Sequence, residues 1–374
     1  SLSRQTYEEY FARIKSGDPS KLVVIIDEAQ FVAKRDASFM EAVAKLKKHK
    51  LYPGPVLIIL ATSSTVWATQ EAAEQFKGAE MKLESLNFLE VVRHFESLPV
   101  AEIVRIYGAI GGVPAYLDKW DAAKSFKENI CRLVLTPSGA LYGEADAVIS
   151  SELRELSAYS TILAAIARGE NKLNDIFHAT GFSRAKISVY LKNLATFNIV
   201  EKVVSFETGG WENAKKGVYQ IKDTFVNFWF KFVYPNMSDL YLLSPEEFYD
   251  TYIEKELDAY LERYFREVCT EYLLILNQMG QLPFTIKRVG TWIGKTGRID
   301  IVAQSEDRRS IIGFCNWDKP MMTMDMCENM AMAMDQARLT SDDYYLFSAT
   351  DFEPALQSYV VRDPRFKLIN MNEL

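Results

Sequence analysis

The sequence is poor in cysteine, lacks long apolar runs and carries no excess of basic residues. Its four cysteines are scattered without a Cys-x-x-Cys pair, which argues against a disulfide framework and a zinc site and fits a reducing cytoplasm. No stretch approaches the ~18 uninterrupted apolar residues of a membrane span, and no signal peptide precedes the first predicted strand. We therefore expect a cytoplasmic protein that does not enter a membrane. The net charge of −7 excludes a generally basic nucleic-acid coat, so any DNA contact requires a local basic patch.

The length and composition predict a multidomain globular protein. The chain has 374 residues, of which 48% are hydrophobic and 25% are charged, the usual balance for domains with substantial cores. A chain of this length is expected to fold as about two to four domains. Because it begins with Ser1 rather than Met, we expect a fragment of a longer protein.

A run of aliphatic residues that ends in two adjacent carboxylates is the most informative pattern present. Residues 21–30 read Lys-Leu-Val-Val-Ile-Ile-Asp-Glu-Ala-Gln, which predicts a parallel strand buried on both faces. Two acids at the end of such a strand are costly without a cation or a catalytic role, so the pattern is typical of a Walker B motif. Asp27 would then hold magnesium through water, and Glu28 would orient and polarise the water that attacks the γ-phosphate of ATP. The alternative is a buried strand followed by an exposed Asp-Glu helix start.

A second aliphatic strand, predicted for residues 55–64, ends in small hydroxyl side chains. An amphipathic helix predicted for residues 37–49 separates the two strands, so the segment forms a βαβ unit. A right-handed crossover brings the two strand ends to one edge of the sheet, where Thr62 and Ser64 would lie near the carboxylates. A hydroxyl group there can sense the γ-phosphate, and we count both residues with Glu28 as candidate catalytic residues. The alternative is a hydroxyl-rich turn that caps the next helix.

The sequence offers only a poor match to the phosphate loop that should accompany these acids. A Walker B motif needs a GxxxxGK[ST] loop, whose backbone amides and lysine hold the phosphates. The near match at residues 290–296, Gly-Thr-Trp-Ile-Gly-Lys-Thr, separates its glycines by three residues rather than four and runs into a predicted strand. We interpret it as a hairpin turn. Because the phosphate loop normally precedes Walker B, we expect it upstream of Ser1.

The pattern of residues 151–235 predicts a winged helix-turn-helix. The predicted elements are helices at residues 160–167, 172–180 and 184–194 and strands at residues 203–206 and 217–221. Helical spacing leaves an exposed polar stripe on the third helix. The candidate DNA-binding residues are Arg184, Ser188 and Lys192 on this helix, with Lys215 and Lys216 in the loop between the strands. Such modules either contact double-stranded DNA or serve only in protein packing, and the pattern leaves both open.

The remaining segments are interpreted as packing elements. The aromatic residues 225–234 predict a buried interdomain helix, because a base-stacking surface would carry more cations than Lys231 alone. Beyond them an α/β layout is predicted, with strands at residues 284–289, 298–304, 310–317 and 344–347 and a helix at residues 322–339. Four methionines of that helix, Met322, Met326, Met330 and Met334, are interpreted as a face that packs on the sheet rather than as copper ligands.

Motifs across nearly the whole chain resemble the archaeal-type AAA-related ATPases of archaea and bacteria, whose C-terminal domain is similar to PD-(D/E)XK nucleases. They are Asp27-Glu28, Ala61-Thr-Ser-Ser64, Gly111-Gly-Val-Pro-Ala-Tyr-Leu117, Ser151-Glu-Leu-Arg-Glu155, the winged helix and Phe228-Trp-Phe-Lys-Phe232. The resemblance implies that the intact protein binds ATP and magnesium, with Asp27 and Glu28 in the Walker B positions and Ser64 or Thr62 near the sensor. The chain departs from the family at residues 77–79, Lys-Gly-Ala, where such ATPases often carry an arginine.

The expected fold class is accordingly α/β multidomain. Residues 1–93 would form the C-terminal part of a P-loop NTPase core with Walker B and sensor 1, and residues 94–150 a helical lid. The winged helix-turn-helix would occupy residues 151–235, and a PD-(D/E)XK-like α/β domain residues 236–374.

The C-terminal domain departs from the nuclease pattern at the positions that carry its chemistry. Asp300 matches the first metal-binding acid, but Phe314 and Asn316 stand where the family has Glu and Lys. Arg266 occupies the acidic position on the preceding helix, with Glu267 beside it. We therefore expect Asp300 to mark a vestigial metal site in an inactive nuclease-like fold.

Taken together, these patterns favour an ATPase that acts as a molecular switch coupled to DNA or to a protein partner. A DNA- or protein-binding scaffold with a vestigial nucleotide site is the alternative, and an active metal-dependent nuclease is the third possibility. We expect this chain alone to bind nucleotide very weakly or not at all, because the phosphate loop lies outside it.

Overall fold

The computed structural model describes residues 6–14, 21–48, 54–64, 66–150, 153–206, 217–294 and 297–374. The chain divides into two compact units, residues 1–84 and residues 85–374, and it is a mixed α/β protein that is mostly helical. No helix in the described part of the chain combines the length and the apolar composition that crossing a lipid bilayer requires. The assignment of four domains stays a prediction.

The smaller unit is built around a pair of parallel strands. Its elements are α1 (Tyr7–Ala12), β1 (Leu22–Ile26), α2 (Ala29–Ala33), α3 (Ala37–Lys47), β2 (Val56–Leu60) and a π-helical turn (Trp67–Ala72) that continues as α4 (Ala73–Phe76). The two strands pair in register from Leu22 opposite Val56 to Ile26 opposite Leu60. Helix α3 begins at the side-chain cap of Asp36 and buries one apolar stripe against the strands.

One face of this two-stranded sheet is exposed, so the prediction of burial on both faces is wrong for the described residues. Leu22 and Val24 point into the core with α3, whereas the alternate residues of both strands are between 42% and 66% exposed. These exposed residues are Val23, Ile25, Leu57 and Ile59. Side chains of a strand alternate between its faces, and the helices of this unit cover one face.

The larger unit is predominantly helical before residue 280. Its helices are α5 (Phe88–His94), α6 (Val100–Ile110), α7 (Pro114–Leu117), α8 (Phe126–Ile130), α9 (Glu144–Ser150), α10 (Leu156–Ala167), α11 (Leu173–Thr180), α12 (Arg184–Thr196), α13 (Thr224–Phe228), α14 (Met237–Leu240), α15 (Pro245–Tyr252) and α16 (Leu257–Gln278). Helices α8 and α13 continue as π-helical turns, Cys131–Leu135 and Trp229–Val233. The aromatic residues 225–233 are fully buried apart from Lys231, which confirms a packing role for this segment.

Helices α10, α11 and α12 are followed by a short antiparallel hairpin, β3 (Val200–Val203) and β4 (Val218–Ile221). Gly181, whose φ is +70°, ends α11, and the Ser183 side chain caps α12 by accepting a hydrogen bond from the Lys186 backbone N–H. The predicted helices and the second strand are confirmed. The first strand was predicted at residues 203–206 and lies three residues earlier, because its pairing with β4 runs from Val200 to Val203.

A five-stranded mixed sheet forms the C-terminal part of the larger unit. Its strands are β5 (Arg288–Ile293), β6 (Arg298–Gln304), β7 (Ser310–Asn316), β9 (Asp343–Ser348) and β11 (Phe366–Asn370), in the spatial order β11-β9-β7-β6-β5. Strands β7, β9 and β11 are parallel, and β6 is antiparallel to both of its neighbours. A small parallel pair, β8 (Met321–Met322) with β10 (Asp351–Phe352), and helices α17 (Met324–Ala337) and α18 (Pro354–Arg362) complete the unit.

The methionines of α17 pack against this sheet, as the sequence predicts. Met330 and Met334 are buried in an apolar cluster with Ile299, Val302 and other residues of the sheet. The strand predicted at residues 284–289 begins instead at Arg288, because Asn277 of α16 hydrogen-bonds both backbone groups of Ile286.

A close backbone approach explains the Gly111-Gly112 turn after α6. Gly111 has a φ of +68°, and the backbone N–H of Leu86 donates to the Gly112 carbonyl oxygen at 2.8 Å. A Cβ atom on Gly112 would lie 1.9 Å from the Leu86 carbonyl oxygen. Because the obstacle is backbone, it cannot rotate away as a side chain would.

Replacing Gly112 by alanine should therefore destabilise the larger unit. We expect Gly112→Ala to lower the free energy of unfolding by about 2 kcal/mol or more, measured by urea denaturation. Gly143→Ala is the matched control, because a Cβ there meets no atom within 4 Å and its φ does not require glycine. Equal midpoints for the two variants would contradict the close-approach argument.

Candidate functional site

The two carboxylates at the end of β1 lie at the same edge as the hydroxyl residues that follow β2. The strand pairing continues beyond both strands, since Ala61 donates to the Ile26 carbonyl at 2.9 Å and Ala29 donates to the Ala61 carbonyl at 3.0 Å. Residues 27–28 and 62–64 are thereby brought together, as the predicted βαβ crossover requires.

Glu28 is the centre of this arrangement. Its φ of +48° lies in the left-handed region, which is uncommon for a residue with a side chain and is often found at functional sites. Its carboxylate accepts hydrogen bonds from the Gln30 amide and from Ser63, whose hydroxyl lies at 2.9 Å and backbone N–H at 3.3 Å. The hydrogen bond from Gln30 contributes most to lowering the pKa of Glu28; burial, the next largest effect, opposes it, and the two hydrogen bonds from Ser63 lower the pKa further. Glu28 is thus held ionised.

The hydroxyl that meets Glu28 belongs to Ser63 rather than to Thr62 or Ser64. Thr62 accepts a hydrogen bond from the Ser64 backbone N–H at 3.0 Å, and buried Ser64 accepts from the Trp67 backbone N–H at 3.4 Å. Both therefore serve the turn into the next helix, which is the alternative that the sequence left open. Three adjacent hydroxyl residues carry no signal that distinguishes them in advance, and the strand register decides which one reaches Glu28.

Gln30 is a site residue that the sequence did not single out. Its side chain is 2% exposed, and its amide donates to Glu28 and, at 3.1 Å, to the Ser63 hydroxyl. Its Oε1 atom is buried without a hydrogen-bond partner. Asp27, by contrast, is exposed, and one of its oxygens accepts from the Glu28 backbone N–H at 3.0 Å. A glutamine two residues after an acid pair is the sequence signal that could have indicated this site residue.

The described residues of the near match to a phosphate loop, 290–294, lie in the larger unit in and just after β5, which pairs antiparallel with the next strand β6, as the interpretation as a hairpin predicts. Gly290 to Ile293 belong to β5, and the Gly294 backbone N–H donates to the Gly297 carbonyl at 2.9 Å to close the turn into β6. Lys295 and Thr296 lie outside the described residues.

The predicted polar stripe of α12 is exposed. Arg184, Ser188 and Lys192 all reach solvent, while Ile187, Tyr190, Leu191 and Leu194 are buried. The Arg184 guanidinium lies 4.1 Å from the centre of the Phe177 ring and donates to the Asn174 side chain at 2.6 Å. Lys215 and Lys216 lie outside the described residues.

The surroundings of α12 are basic in an acidic chain. Between residues 176 and 200 the sequence contains no Asp or Glu, although the whole chain has 50 such residues. The cations of this stretch are Arg184, Lys186 and Lys192. The exposed side of α12 therefore carries cations and no carboxylate of its own, while the Glu155 carboxylate accepts a hydrogen bond from the hydroxyl of Tyr190 on the buried side.

Asp300 on β6 is enclosed by cations. Gly290 of β5 pairs with Val302, and Trp292 pairs with Ile299, so one residue of β5 faces two residues of β6. This bulge accompanies a side chain that faces α16, as bulges next to functional sites often re-aim a residue.

The partners of Asp300 occupy both of its carboxylate oxygens. Arg266 of α16 and Arg298 each donate to one oxygen at 3.0 Å, and the Cys315 backbone N–H donates to the other at 3.1 Å. The side chains of Asp300 and Arg266 are 10% and 14% exposed. The carboxylate that a nuclease would use for metal is here neutralised by arginine.

The other positions of the nuclease pattern are also committed to structure. Asn316 is buried and donates to the hydroxyls of Ser348 and Thr350, at 3.0 and 3.3 Å. Glu267 forms an ion pair with Arg263 at 2.8 Å and does not join Asp300 in a pair of metal-binding carboxylates.

The carboxylate whose pKa responds to this cluster is Glu262, one helical turn before Arg266 on α16. Burial raises the pKa of Glu262, the charge of Asp318 raises it further, and Arg298 and Arg266 oppose the shift. The sequence analysis did not single out Glu262; its i, i+4 spacing from Arg266 places both on one face of α16 but does not show that this face meets the sheet. Within the described ranges, no group of three or more Asp, Glu, His or Cys side chains is arranged to hold a metal ion.

Removing the Asp300 charge should leave two arginines facing each other. We expect Asp300→Asn to lower the free energy of unfolding by about 3 kcal/mol, because an uncompensated charge stays in a mostly buried site. Urea denaturation measures the change, and Asp335→Asn at an exposed position is the matched control.

A second test asks whether Asp300 supports metal-dependent cleavage. The wild-type protein, incubated with magnesium and supercoiled plasmid, should leave the DNA uncut. Nicking that Asp300→Asn abolishes would contradict the reading of Asp300 as an ion-pair residue.

Comparisons with known proteins give relatives without a described activity. Residues 229–332 match a family model described as archaeal and bacterial proteins of unknown function, DUF234. The chain is 27% identical over 323 residues to the uncharacterized protein MJECL04 of Methanocaldococcus jannaschii, a match that covers 84% of this chain and 71% of that protein. A solved structure of protein VC1899 from Vibrio cholerae covers 98% of this chain and 91% of its own length, but its TM-score of 0.23 at 11% identity carries no argument. This chain is thus similar over most of its length to a protein of uncharacterized function.

Proposed function

We propose that this chain supplies the Walker B half of an ATP-hydrolysing site and a DNA-binding winged helix, and that the intact protein is an ATP-dependent switch. The observation that carries the proposal is the position of Asp27 and Glu28 at the carboxyl end of a parallel strand, with Ser63 of the neighbouring strand hydrogen-bonded to Glu28. The edge of a parallel sheet at the carboxyl ends of its strands is where α/β proteins bind ligands.

The residues present fit one side of a bound magnesium nucleotide. Asp27 offers exposed carboxylate oxygens, the type of ligand that magnesium prefers, directly or through water. Bound magnesium would neutralise charge on the phosphates during transfer. The near match at residues 290–296 does not fit the phosphate cradle, because its described residues 290–293 belong to strand β5, which pairs with β6. We propose that a segment outside these 374 residues supplies it.

The roles of the side chains follow from their hydrogen bonds. Glu28 is ionised and can accept a proton from, or orient, an attacking water. Gln30 and Ser63 fix the position of its carboxylate, and Ser63 takes the sensor role that the sequence gave to Thr62 or Ser64. The buried Gln30 Oε1 provides a free acceptor inside the site, which fits a donor such as a water molecule.

The second half of the proposal concerns α12 and the hairpin after it. Three helices followed by an antiparallel strand pair fit a winged helix, in which the third helix enters the major groove. The absence of acids from residues 176–200 and the exposure of Lys192 favour contact with a polyanion. The helix N-terminus at Ser183 adds a positive dipole end to the same surface.

Two alternatives remain within the same residues. A binding scaffold with a vestigial nucleotide site would keep the α12 surface and lose turnover. A metal-dependent nuclease is disfavoured by the arginines on Asp300 and by the structural role of Asn316.

The hydrolytic half is tested on the gene product that includes the sequence preceding Ser1. A GxxxxGK[ST] motif should be encoded there. In that protein, Glu28→Gln should retain ATP binding and lower turnover at least ~100-fold, measured by phosphate release, because an amide cannot accept the proton.

Two further variants sharpen this test. Glu41→Gln makes the same change on the exposed surface of α3 and should leave turnover unaltered. Ser63→Ala should lower turnover more than Thr62→Ala, since Ser63 is the residue hydrogen-bonded to Glu28. Absence of the upstream motif, or full ATPase activity of Glu28→Gln, would contradict the ATPase proposal.

The DNA-binding half is tested on this chain by fluorescence anisotropy with a labelled random-sequence duplex. Lys192→Ala should weaken binding and reduce the slope of log affinity against log salt by about 1, because each phosphate contact releases about one counterion. Lys192 suits the test better than Arg184, whose guanidinium is also committed to Phe177 and Asn174.

Lys255→Ala is the matched control. Lys255 is also exposed but precedes α16, far in sequence from the proposed winged helix. Equal losses for both lysines would indicate a diffuse charge effect, and no loss for Lys192→Ala would contradict the assignment of α12 as the recognition helix.

A further inference from the structure

An exposed apolar residue lies among the cations of helix α12. Val189 of α12 is 57% exposed, although its neighbours Ile187, Tyr190 and Leu191 are buried. Helical spacing places Ala185, Val189 and Lys192 along one line on the face opposite the buried one. Valine is a weaker helix former than alanine, so neither burial nor helix propensity accounts for it there.

We propose that Val189 is a specificity-determining residue that contacts the 5-methyl group of thymine in the major groove of double-stranded DNA. This inference rests on the proposed DNA-binding function and goes beyond it, because it names the base that is read and the residue that reads it. In the major groove, thymine presents one apolar group, its methyl, and small apolar side chains are what proteins place against it.

Charge selects DNA as the occupant of this surface. The apolar centre is flanked by Lys192 on its own line and by Arg184 and Lys186, which lie over the rings of Phe177 and Phe182, on the preceding turn. Residues 176–200 contribute no carboxylate, and the Glu155 carboxylate that contacts α12 is bound by the hydroxyl of Tyr190, a residue of the buried face. A protein partner for an exposed valine would need no such exclusion of acids. A cationic rim around an apolar centre is complementary to a groove in which phosphates border base edges.

The helical shape of the surface favours DNA over RNA. The major groove of B-form DNA admits an α-helix, whereas the major groove of A-form RNA is too narrow for side chains to read. Helix α12 extends over 13 residues from its cap at Ser183, and Val189 lies near its middle. Side chains of its exposed line can therefore reach base edges while those at its margins reach phosphates.

The test compares two alternating polymers that differ only in the methyl group. Poly(dA-dT) and poly(dA-dU) duplexes are titrated with this chain and with Val189→Ala at one fixed salt concentration. Wild type should bind the thymine polymer about fourfold more tightly, the value of one buried methyl group. Val189→Ala should bind both polymers equally and about as tightly as wild type binds the uracil polymer.

The measured quantity is the thymine-over-uracil preference of wild type divided by that of Val189→Ala, so any difference in shape between the two polymers cancels. Val361→Ala, which trims a valine on α18 that is 86% exposed, should keep the wild-type preference. The variant Val189→Ala should fold normally, because the side chain is exposed and alanine favours a helix.

The outcomes are distinguishable. Binding of both polymers with an unchanged preference in Val189→Ala overturns this inference and leaves the DNA-binding proposal standing. No binding of either polymer, or tighter binding of a poly(A-U) RNA duplex, overturns both. Loss of the thymine preference in Val189→Ala, with its retention in Val361→Ala, supports both.

Discussion

Burial of helix α16 is the constraint on which the larger unit depends. Where α6 crosses it, a Cβ on Gly108 would lie 2.4 Å from Leu261, so the two helices meet at a glycine, and the Tyr260 hydroxyl donates to the Gly108 carbonyl at 3.0 Å. About two turns before the end of α16, Glu271 accepts from the first backbone N–H groups of α5, at 3.0 and 3.1 Å. On its other side Arg266 reaches Asp300 in the sheet. A single helix therefore ties the helical segments and the five-stranded sheet into one continuous core.

This continuity explains the chemistry of the Asp300 cluster. An acid on a sheet that faces a tightly packed helix must be paired, since an ionised carboxylate without a partner is costly in such a place. Magnesium would serve this purpose in a nuclease, and here Arg266 and Arg298 serve it through hydrogen bonds of 3.0 Å. Replacing a metal by arginine keeps the sheet and helix together while removing the ion that would activate water. The arginines that would remove nuclease chemistry thus also hold the sheet and helix α16 together.

The sequence predicted the elements better than the contacts between them. Aliphatic runs identified β1 and β2, and helical spacing identified the exposed stripe of α12, because each pattern is local. The choice of Ser63 over its hydroxyl neighbours depends on strand register, and the role of Glu262 depends on which face of α16 meets the sheet. Neither can be read from a window of the chain. The same limit applies to the exposed face of the small sheet, which an aliphatic run alone cannot reveal.

The exposed apolar face of the small sheet costs free energy of burial, and this cost bears on the ATPase proposal. Parallel sheets are almost always covered on both faces, and two strands alone rarely form a stable sheet in water. Each of the four large apolar side chains on the open face forgoes about 1 kcal/mol or more of burial. A nucleotide-binding core in which further strands and helices join this sheet would recover that energy and would bring a phosphate loop to the edge where Asp27 and Glu28 lie. On the ATPase proposal, the open face of β1 and β2 is where such further strands and helices would pack.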